Sequence, residues 1–219
     1  MYKTKELFDL DHTLAKEYLN NFEYPYLALK GISELIIDLG KKLDLNEYKE
    51  IKENVWVHNT AKIFPTAYIN GPCIIGKESE VRQAAFIRGS ALVGNNCVVG
   101  NSSELKNVIL FDNVQVPHFN YVGDSILGYK SHMGAGSITS NFKSDGTNVV
   151  IRDKEEVIET NLRKLGAMIG DHVEIGCNSV LNPGTIIGKN SSIYPLNSVR
   201  GVVLSNSIYK NKDEIITKK

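Results

Sequence analysis

From Val57 to Leu105 an aliphatic residue falls on every sixth position: Val57, Ile63, Ile69, Ile75, Val81, Ile87, Val93, Val99 and Leu105. Four residues after each of the first eight stands a small one: Ala61, Ala67, Cys73, Ser79, Ala85, Ala91, Cys97 and Ser103. A period of six is neither that of an amphipathic helix nor that of an ordinary strand. It fits a flat-sided solenoid in which each hexapeptide supplies one short strand and a corner. Three hexapeptides then close an 18-residue coil, and coils stack about 4.8 Å apart. The aliphatics fill the inside, the small residues fit the corners, and each coil buries its apolar side against the next. The alternative, an α/β or helical domain, needs nine aliphatics in register by accident.

Past Leu105 the register slips. The steps from Phe111 to Val116 and from Val122 to Leu127 are five residues, and sixes return at Leu127, Met133 and Thr139. Local departures from a strict pattern are expected where function competes with fold. Residues 143–168 break the repeat with a polar, charged stretch that reads as a loop extruded from a corner. The repeat resumes at Ile169, Ile175, Leu181, Ile187, Ile193 and Val199.

The expected architecture is an all-β solenoid, a parallel β-helix of about seven coils over residues 53–203. A helical cap over 1–52 precedes it and a polar tail over 204–219 follows. In the cap, one helix is expected from Asp11 through Leu19, with Leu14, Tyr18 and Leu19 on one side. A second is expected from Pro25 to about Leu43, striped by Leu29, Ile32, Ile36 and Leu39. Both are read as covering the open edge of the first coil, or as an oligomer contact.

The formal net charge is zero, which gives no electrostatic case for nucleic acid or an anionic membrane. No apolar run approaches the length of a membrane span, and no basic-then-apolar leader opens the chain, so a cytoplasmic location is expected. Cys73 and Cys97 fall on inward small positions and are expected as buried, reduced thiols.

Candidate chemistry lies at the outward positions. Arg88 and Lys106 are 18 residues apart, hence one coil apart on one side. Stacked cations suit a phosphate or carboxylate, although each could equally pair with a local acid such as Glu80 or Glu104. His118 sits between the two slips at an outward offset and stacks over Ala135. The small residues of Gly134-Ala135-Gly136 leave backbone open to close approach. A histidine beside free backbone N–H groups suits general-base work next to an oxyanion site. An exposed histidine alone is more often an ordinary surface residue.

Three ordered motifs carry a resemblance: Val99-Gly-Asn-Ser-Ser-Glu-Leu-Lys106, His118-Phe-Asn-Tyr-Val-Gly-Asp124, and Gly134-Ala-Gly-Ser-Ile-Thr139 with Asn141. They resemble the left-handed β-helix acyltransferases, and within them the acetyltransferase domain of the bifunctional glucosamine-1-phosphate acetyltransferase/UDP-N-acetylglucosamine pyrophosphorylases. The resemblance spans roughly residues 57–205. It implies a left-handed helix, a homotrimer with sites between subunits, acetyl-CoA as donor and an amino-sugar 1-phosphate as acceptor. It further implies that His118 is the base and that Arg88 and Lys106 hold the phosphate. Tyr121, His132 and Asn141 would contact the sugar or the reacting end of the donor. Gly134, Ala135, Cys177 and Tyr194 would line the CoA path. His132 stands where the family carries asparagine, Phe142 where it carries tyrosine, and Tyr194 where it carries alanine. These departures bear on the acceptor and on the CoA contacts. Residues 1–50 hold no glycine-rich nucleotide loop, so pyrophosphorylase activity is not expected of this chain.

Two other classes remain open on sequence grounds. One is a trimeric scaffold that binds a sugar nucleotide without catalysis. The other is a zinc enzyme resembling the β-helical carbonic anhydrases, using His118, His132 and His172, although these lack the close pair on adjacent coils that such a site needs. No catalytic metal is expected under the acetyltransferase reading.

Overall fold

In the computed structural model, which describes residues 1–154 and 156–218, the chain is a β-solenoid of about nine turns with a short helical N-terminus. Its hexapeptides fit the left-handed β-helix. Glu155, inside the expected loop, and Lys219, at the end of the tail, lie outside the described residues. The strands form three faces, each a parallel ladder. The first contains Val55–His58, Cys73–Ile75, Ala91–Val93, Ala167–Ile169, Thr185–Ile187 and Val202–Val203. The second contains Tyr68–Ile69, Phe86–Ile87, Ile138–Thr139, Val180–Leu181 and Ser198–Val199. The third runs from Lys62–Ile63 through Gln115–His118 and His132–Met133 to Ser207–Asn211. Two long strands, Glu104–Leu110 and Tyr121–Leu127, turn the corner from the second face to the first.

The corners explain the period. Glu78, Ala84, Ser90, Asn96 and Ser102 all take left-handed φ, between 52° and 56°. Each is followed by a buried small residue, Ser79, Ala85, Ala91, Cys97 or Ser103. The left-handed residue turns the chain, and only a small side chain fits inside the turn. The next left-handed positions are Asn107, Asn113, Phe119, Asp124 and Lys130, so the steps ending at Asn107 and Asp124 are five residues long. The first slip therefore falls between Leu105 and Leu110, not between Phe111 and Val116. Leu110 continues the inward column through Val93 and Leu127. Phe111 is buried on the outside instead, its ring centroid 5.1 Å from that of Phe8.

The N-terminal segment departs most from expectation. It lies along the side of the solenoid, not over its end. The Tyr2 hydroxyl accepts from the Ser205 N–H at 2.7 Å, and Asp171 N–H donates to the Leu7 carbonyl at 3.1 Å. Further down, Asn107 Nδ2 donates to the Leu29 carbonyl at 3.3 Å. Gly40 packs on Trp56 so closely that a Cβ there would meet the indole at 2.3 Å. The segment is thus a strap from the last coils to the first. It covers the first face, whose strands are buried at every position in Cys73–Ile75, Ala91–Val93 and Thr185–Ile187. On the second face burial alternates, as in exposed Phe86 beside buried Ile87.

The expected first helix is two short turns, Leu10–His12 and Lys16–Leu19, because Thr13 is extended and its Oγ1 accepts from the Ala15 N–H. An unexpected helix, Thr4–Leu7, precedes them. The second begins at Pro25 as expected. It runs as a 3-10 helix to Gly31 and as an α-helix over Ile32–Gly40, stopping short of Leu43. The open edge of the first coil is closed by Tyr48–Lys52, antiparallel to Val55–His58. At the far end the expected tail is a strand pair, Ser207–Asn211 with Glu214–Thr217. Among the described residues eight parallel strands stack on the first face, so the coil count passes the expected seven before these closures are added. The loop over 143–168 is built around an antiparallel hairpin, Val149–Asp153 with Glu156–Leu162. Among the described residues no helix is long and apolar enough to cross a membrane.

Candidate functional site

The two five-residue steps place Asn107 and Asp124 at the same corner on adjacent coils, and this builds a polar cluster there. Asp124 is 4% exposed and left-handed at φ 47°. Its carboxylate accepts from Lys106 Nζ at 2.8 and 3.0 Å, from Asn107 Nδ2 at 2.9 Å, and from Asn141 Nδ2. Asn141 Nδ2 also donates to the Tyr121 hydroxyl at 3.1 Å. Burial pushes the Tyr121 phenol up, and the Asn141 hydrogen bond offsets part of that. One coil below Lys106, Arg88 Nη1 donates to Glu104 Oε1 at 2.9 Å. The hydrogen bond to Glu104 raises the Arg88 guanidinium further.

Arg88, Lys106, Tyr121 and Asn141 therefore come together, and Asp124 is the hub that binds Lys106 and Asn141 directly and Tyr121 through Asn141. Both cations already face a carboxylate. That leaves Lys106 with its remaining ammonium donor and Arg88 with most of its guanidinium fork for an incoming anion.

A second group climbs the corner between the third and second faces. His118 ends Gln115–His118 and is exposed. The Gly136 N–H donates to the His118 carbonyl at 3.0 Å, which sets His118 beneath Ala135. Asn178 N–H donates to the Ala135 carbonyl at 2.8 Å, and Leu196 N–H to the Cys177 carbonyl at 2.9 Å. His118, Ala135, Cys177 and the turn carrying Tyr194 thus form one column. Cys177 is a free, exposed thiol and Tyr194 is 46% exposed. Within Gly134 to Gly136 two N–H groups are spent: Gly134 donates to Ile175 at 2.7 Å and Gly136 to His118. The Ala135 N–H is the one of the three with no backbone acceptor among the described residues.

His132 joins neither group within one chain. It opens the two-residue strand His132–Met133 on the third face, Nδ1 2.8 Å from Glu174 Oε2. His172 is edge-on to Tyr129, with ring centroids 5.4 Å apart. Among the described residues no group of three or more His, Cys, Asp or Glu is set to hold a metal. Phe142 is exposed, with the Arg163 guanidinium 5.8 Å over its ring. Sequence reading missed Asp124 and Asn107 as site residues. Their signal was an Asn and an Asp, residues that tolerate left-handed φ, at the two corners where the period shortens.

Residues 69–163 match the family model described as "GMPPB C-terminal domain", and residues 166–201 match "Bacterial transferase hexapeptide (six repeats)". The "Bifunctional protein GlmU" of Methanococcus aeolicus is 38% identical over 200 residues, covering 83% of this chain and 48% of the relative. The "Bifunctional sugar-1-phosphate nucleotidylyltransferase/acetyltransferase" of Sulfurisphaera tokodaii is 36% identical over 180 residues, covering 73% of this chain and 45% of the relative. The chain spans about half the length of the curated relatives it matches. Among solved structures, the acetyltransferase domain of PglB from Neisseria gonorrhoeae in complex with acetyl coenzyme A aligns at 14% identity and TM-score 0.39, covering 75% of this chain and 57% of that one.

Proposed function

We propose that this chain, a hexapeptide-repeat β-helix similar to the acetyltransferase part of the GlmU-type enzymes, transfers the acetyl group of acetyl-CoA to the amine of an amino-sugar 1-phosphate as a homotrimer. The observation that carries this reading is the corner shared by the two faces that the strap leaves open. His118 sits on that corner, and Tyr121, three residues on, reaches the Lys106–Asp124–Asn141 cluster across the second face.

The acceptor phosphate binds Arg88 and Lys106 through the donors that Glu104 and Asp124 leave unused. Asn141 and Tyr121 orient the sugar. His118 and Gly123 are five residues apart across the left-handed corner at Phe119, so they stand closer than the about 16 Å that five extended residues would span. The long cationic side chains and the imidazole narrow that gap to the length of a hexosamine phosphate. His118 takes a proton from the acceptor nitrogen as its lone pair attacks the thioester carbonyl carbon. The Ala135 N–H is placed to receive the developing oxyanion. The C–S bond then breaks, and the CoA sulfur leaves as the thiol with the proton that His118 accepted. General-base help of this kind is worth about 10²–10⁴ in rate, and positioning supplies the rest.

The column of Ala135, Cys177 and Tyr194 is the proposed path for the pantetheine arm, with Gly134 permitting the close turn beneath it. His132, held by Glu174 on the third face, would meet the sugar of an adjacent subunit's site. The test is release of CoA thiol from acetyl-CoA with glucosamine 1-phosphate, galactosamine 1-phosphate and free glucosamine. Turnover with a 1-phosphate, reduced by at least about 10² in His118→Ala with the fold intact, is expected. Turnover unchanged in His118→Ala would remove His118 from the mechanism. CoA binding without acetyl transfer to any amine would favour the sugar-nucleotide-binding scaffold.

A further inference from the structure

The hairpin of Val149–Asp153 and Glu156–Leu162 folds back along the corner between the second and first faces, and two glycines hold it there. Gly184 and Gly201 are both left-handed, at φ +81° and +72°. A Cβ on Gly184 would stand 2.7 Å from the Val150 carbonyl oxygen, and one on Gly201 would stand 2.5 Å from that of Arg152. Hairpin and solenoid are thus in backbone contact that another residue would not permit.

Between them lies a cavity of about 100 Å³, lined by Lys143, Val150, Arg152, Pro183, Arg200 and Gly201. Three of its six lining residues are cationic and none is acidic. Lys143 is anchored beside it, donating to Thr147 Oγ1, with Asp145 at 3.5 Å. Arg152 and Arg200 have no carboxylate within salt-bridge distance among the described residues, whereas Arg82 and Arg88 each have one.

Three like charges around one small space repel each other, and an anion between them reverses the sign of that interaction. The volume is about three times one water's share of the liquid, which suits a phosphate group and its oxygens. Guanidinium forks match phosphate oxygens two at a time. We propose that this cavity is a phosphate-binding site, in which Arg152, Arg200 and Lys143 take a phosphomonoester or pyrophosphate group.

The site is separate from Arg88 and Lys106. Arg200 occupies the same corner, reached from Lys106 through Gly123, Ser140 and Asn182. Four coil spacings make that about 19 Å, beyond the reach of a single phosphate. The group could come from free phosphate or pyrophosphate, or from the phosphates of the acetyl donor.

The test is calorimetric titration of the full chain with inorganic pyrophosphate at constant ionic strength. It is repeated on Arg152→Gln and Arg200→Gln, with circular dichroism as the check on folding. Saturable binding that persists in Arg88→Gln, and that is weakened about tenfold or more when Arg152→Gln or Arg200→Gln is added to that variant, is expected. Binding that is absent in Arg88→Gln, or equal with and without the added substitutions, overturns the proposal. A second pair of measurements assigns the source. If the substitutions raise the KM for acetyl-CoA and leave that for acetyl-3′-dephospho-CoA unchanged, the group is the donor's 3′-phosphate. If pyrophosphate binding is lost and neither KM moves, the ligand is a free anion. The titration needs no turnover, so failure of the acetyl-transfer reading would leave it interpretable.

Discussion

Replacing Asp124 with Asn isolates what the corner cluster contributes. The side chain keeps its shape, and Asn tolerates the left-handed φ of 47° as well as Asp does, so the backbone is not strained. Two things change. Lys106 loses the charge it pairs with at 2.8 Å, and the new amide turns an N–H₂ toward groups that themselves donate, Asn107 Nδ2 and Asn141 Nδ2. Removing one partner of a fully buried pair costs about 3–5 kcal/mol. Here the Asp124 side chain is 5% exposed but that of Lys106 is 26% exposed, so the ammonium recovers part of its hydration. The expected cost is about 2 kcal/mol once that recovery is allowed for. For a chain of 219 residues this lowers Tm by about 4–8 °C. The assay is thermal unfolding at pH 7 and fixed protomer concentration, because assembly would make Tm concentration-dependent. Adding Lys106→Met to the variant should return at least about 1 kcal/mol, since the stranded charge is then gone. A Tm shift within about 1 °C for Asp124→Asn would refute the argument that this carboxylate organises the site.

Three further outcomes are expected. Burial pushes the Cys97 thiol up to about 12 and that of Cys73 higher still, while Cys177 is exposed. An aromatic disulfide reagent at pH 8 should therefore titrate one thiol in the native protein and three after unfolding, and rapid native labelling of more than one would contradict the packing. Gly100→Ala places a Cβ 1.7 Å from the Pro117 carbonyl oxygen, backbone against backbone. It should cost more than about 3 kcal/mol in denaturant unfolding, and a near-neutral effect would contradict the close approach of Val98–Asn101 to Gln115–His118. Leu196 is left-handed at φ 62° and 79% exposed. Leu196→Gly should stabilise by about 0.5–1 kcal/mol, the relief of left-handed strain less the added chain entropy, and a loss of stability would show that the side chain is covered by a partner in solution.

The sequence alone determined the coil. An aliphatic every six residues and a small residue four later can be satisfied together only by stacked, flat-sided turns, and the structure has them. It also marked the corner chemistry. Arg88 and Lys106 stand one coil apart, and His118 lies beneath Ala135, because in a solenoid vertical neighbours follow from counting. Counting failed where another element competed for the same apolar character. Phe111 looked like the next inward residue, but its ring belongs to the interface with Phe8, and Leu110 is the one inside.

The strap was decided by tertiary structure. Its docking face was written in the sequence as a second apolar column, Ile74, Leu92, Ile109 and Ile126. Such a column says that a face is covered and not what covers it. The hub role of Asp124 likewise needed the structure. Whether an aspartate at a left-handed corner faces water or gathers Lys106, Asn107 and Asn141 depends on two shortened corners falling one above the other. That stacking arises because the slips lie 17 residues apart, within one residue of a full coil.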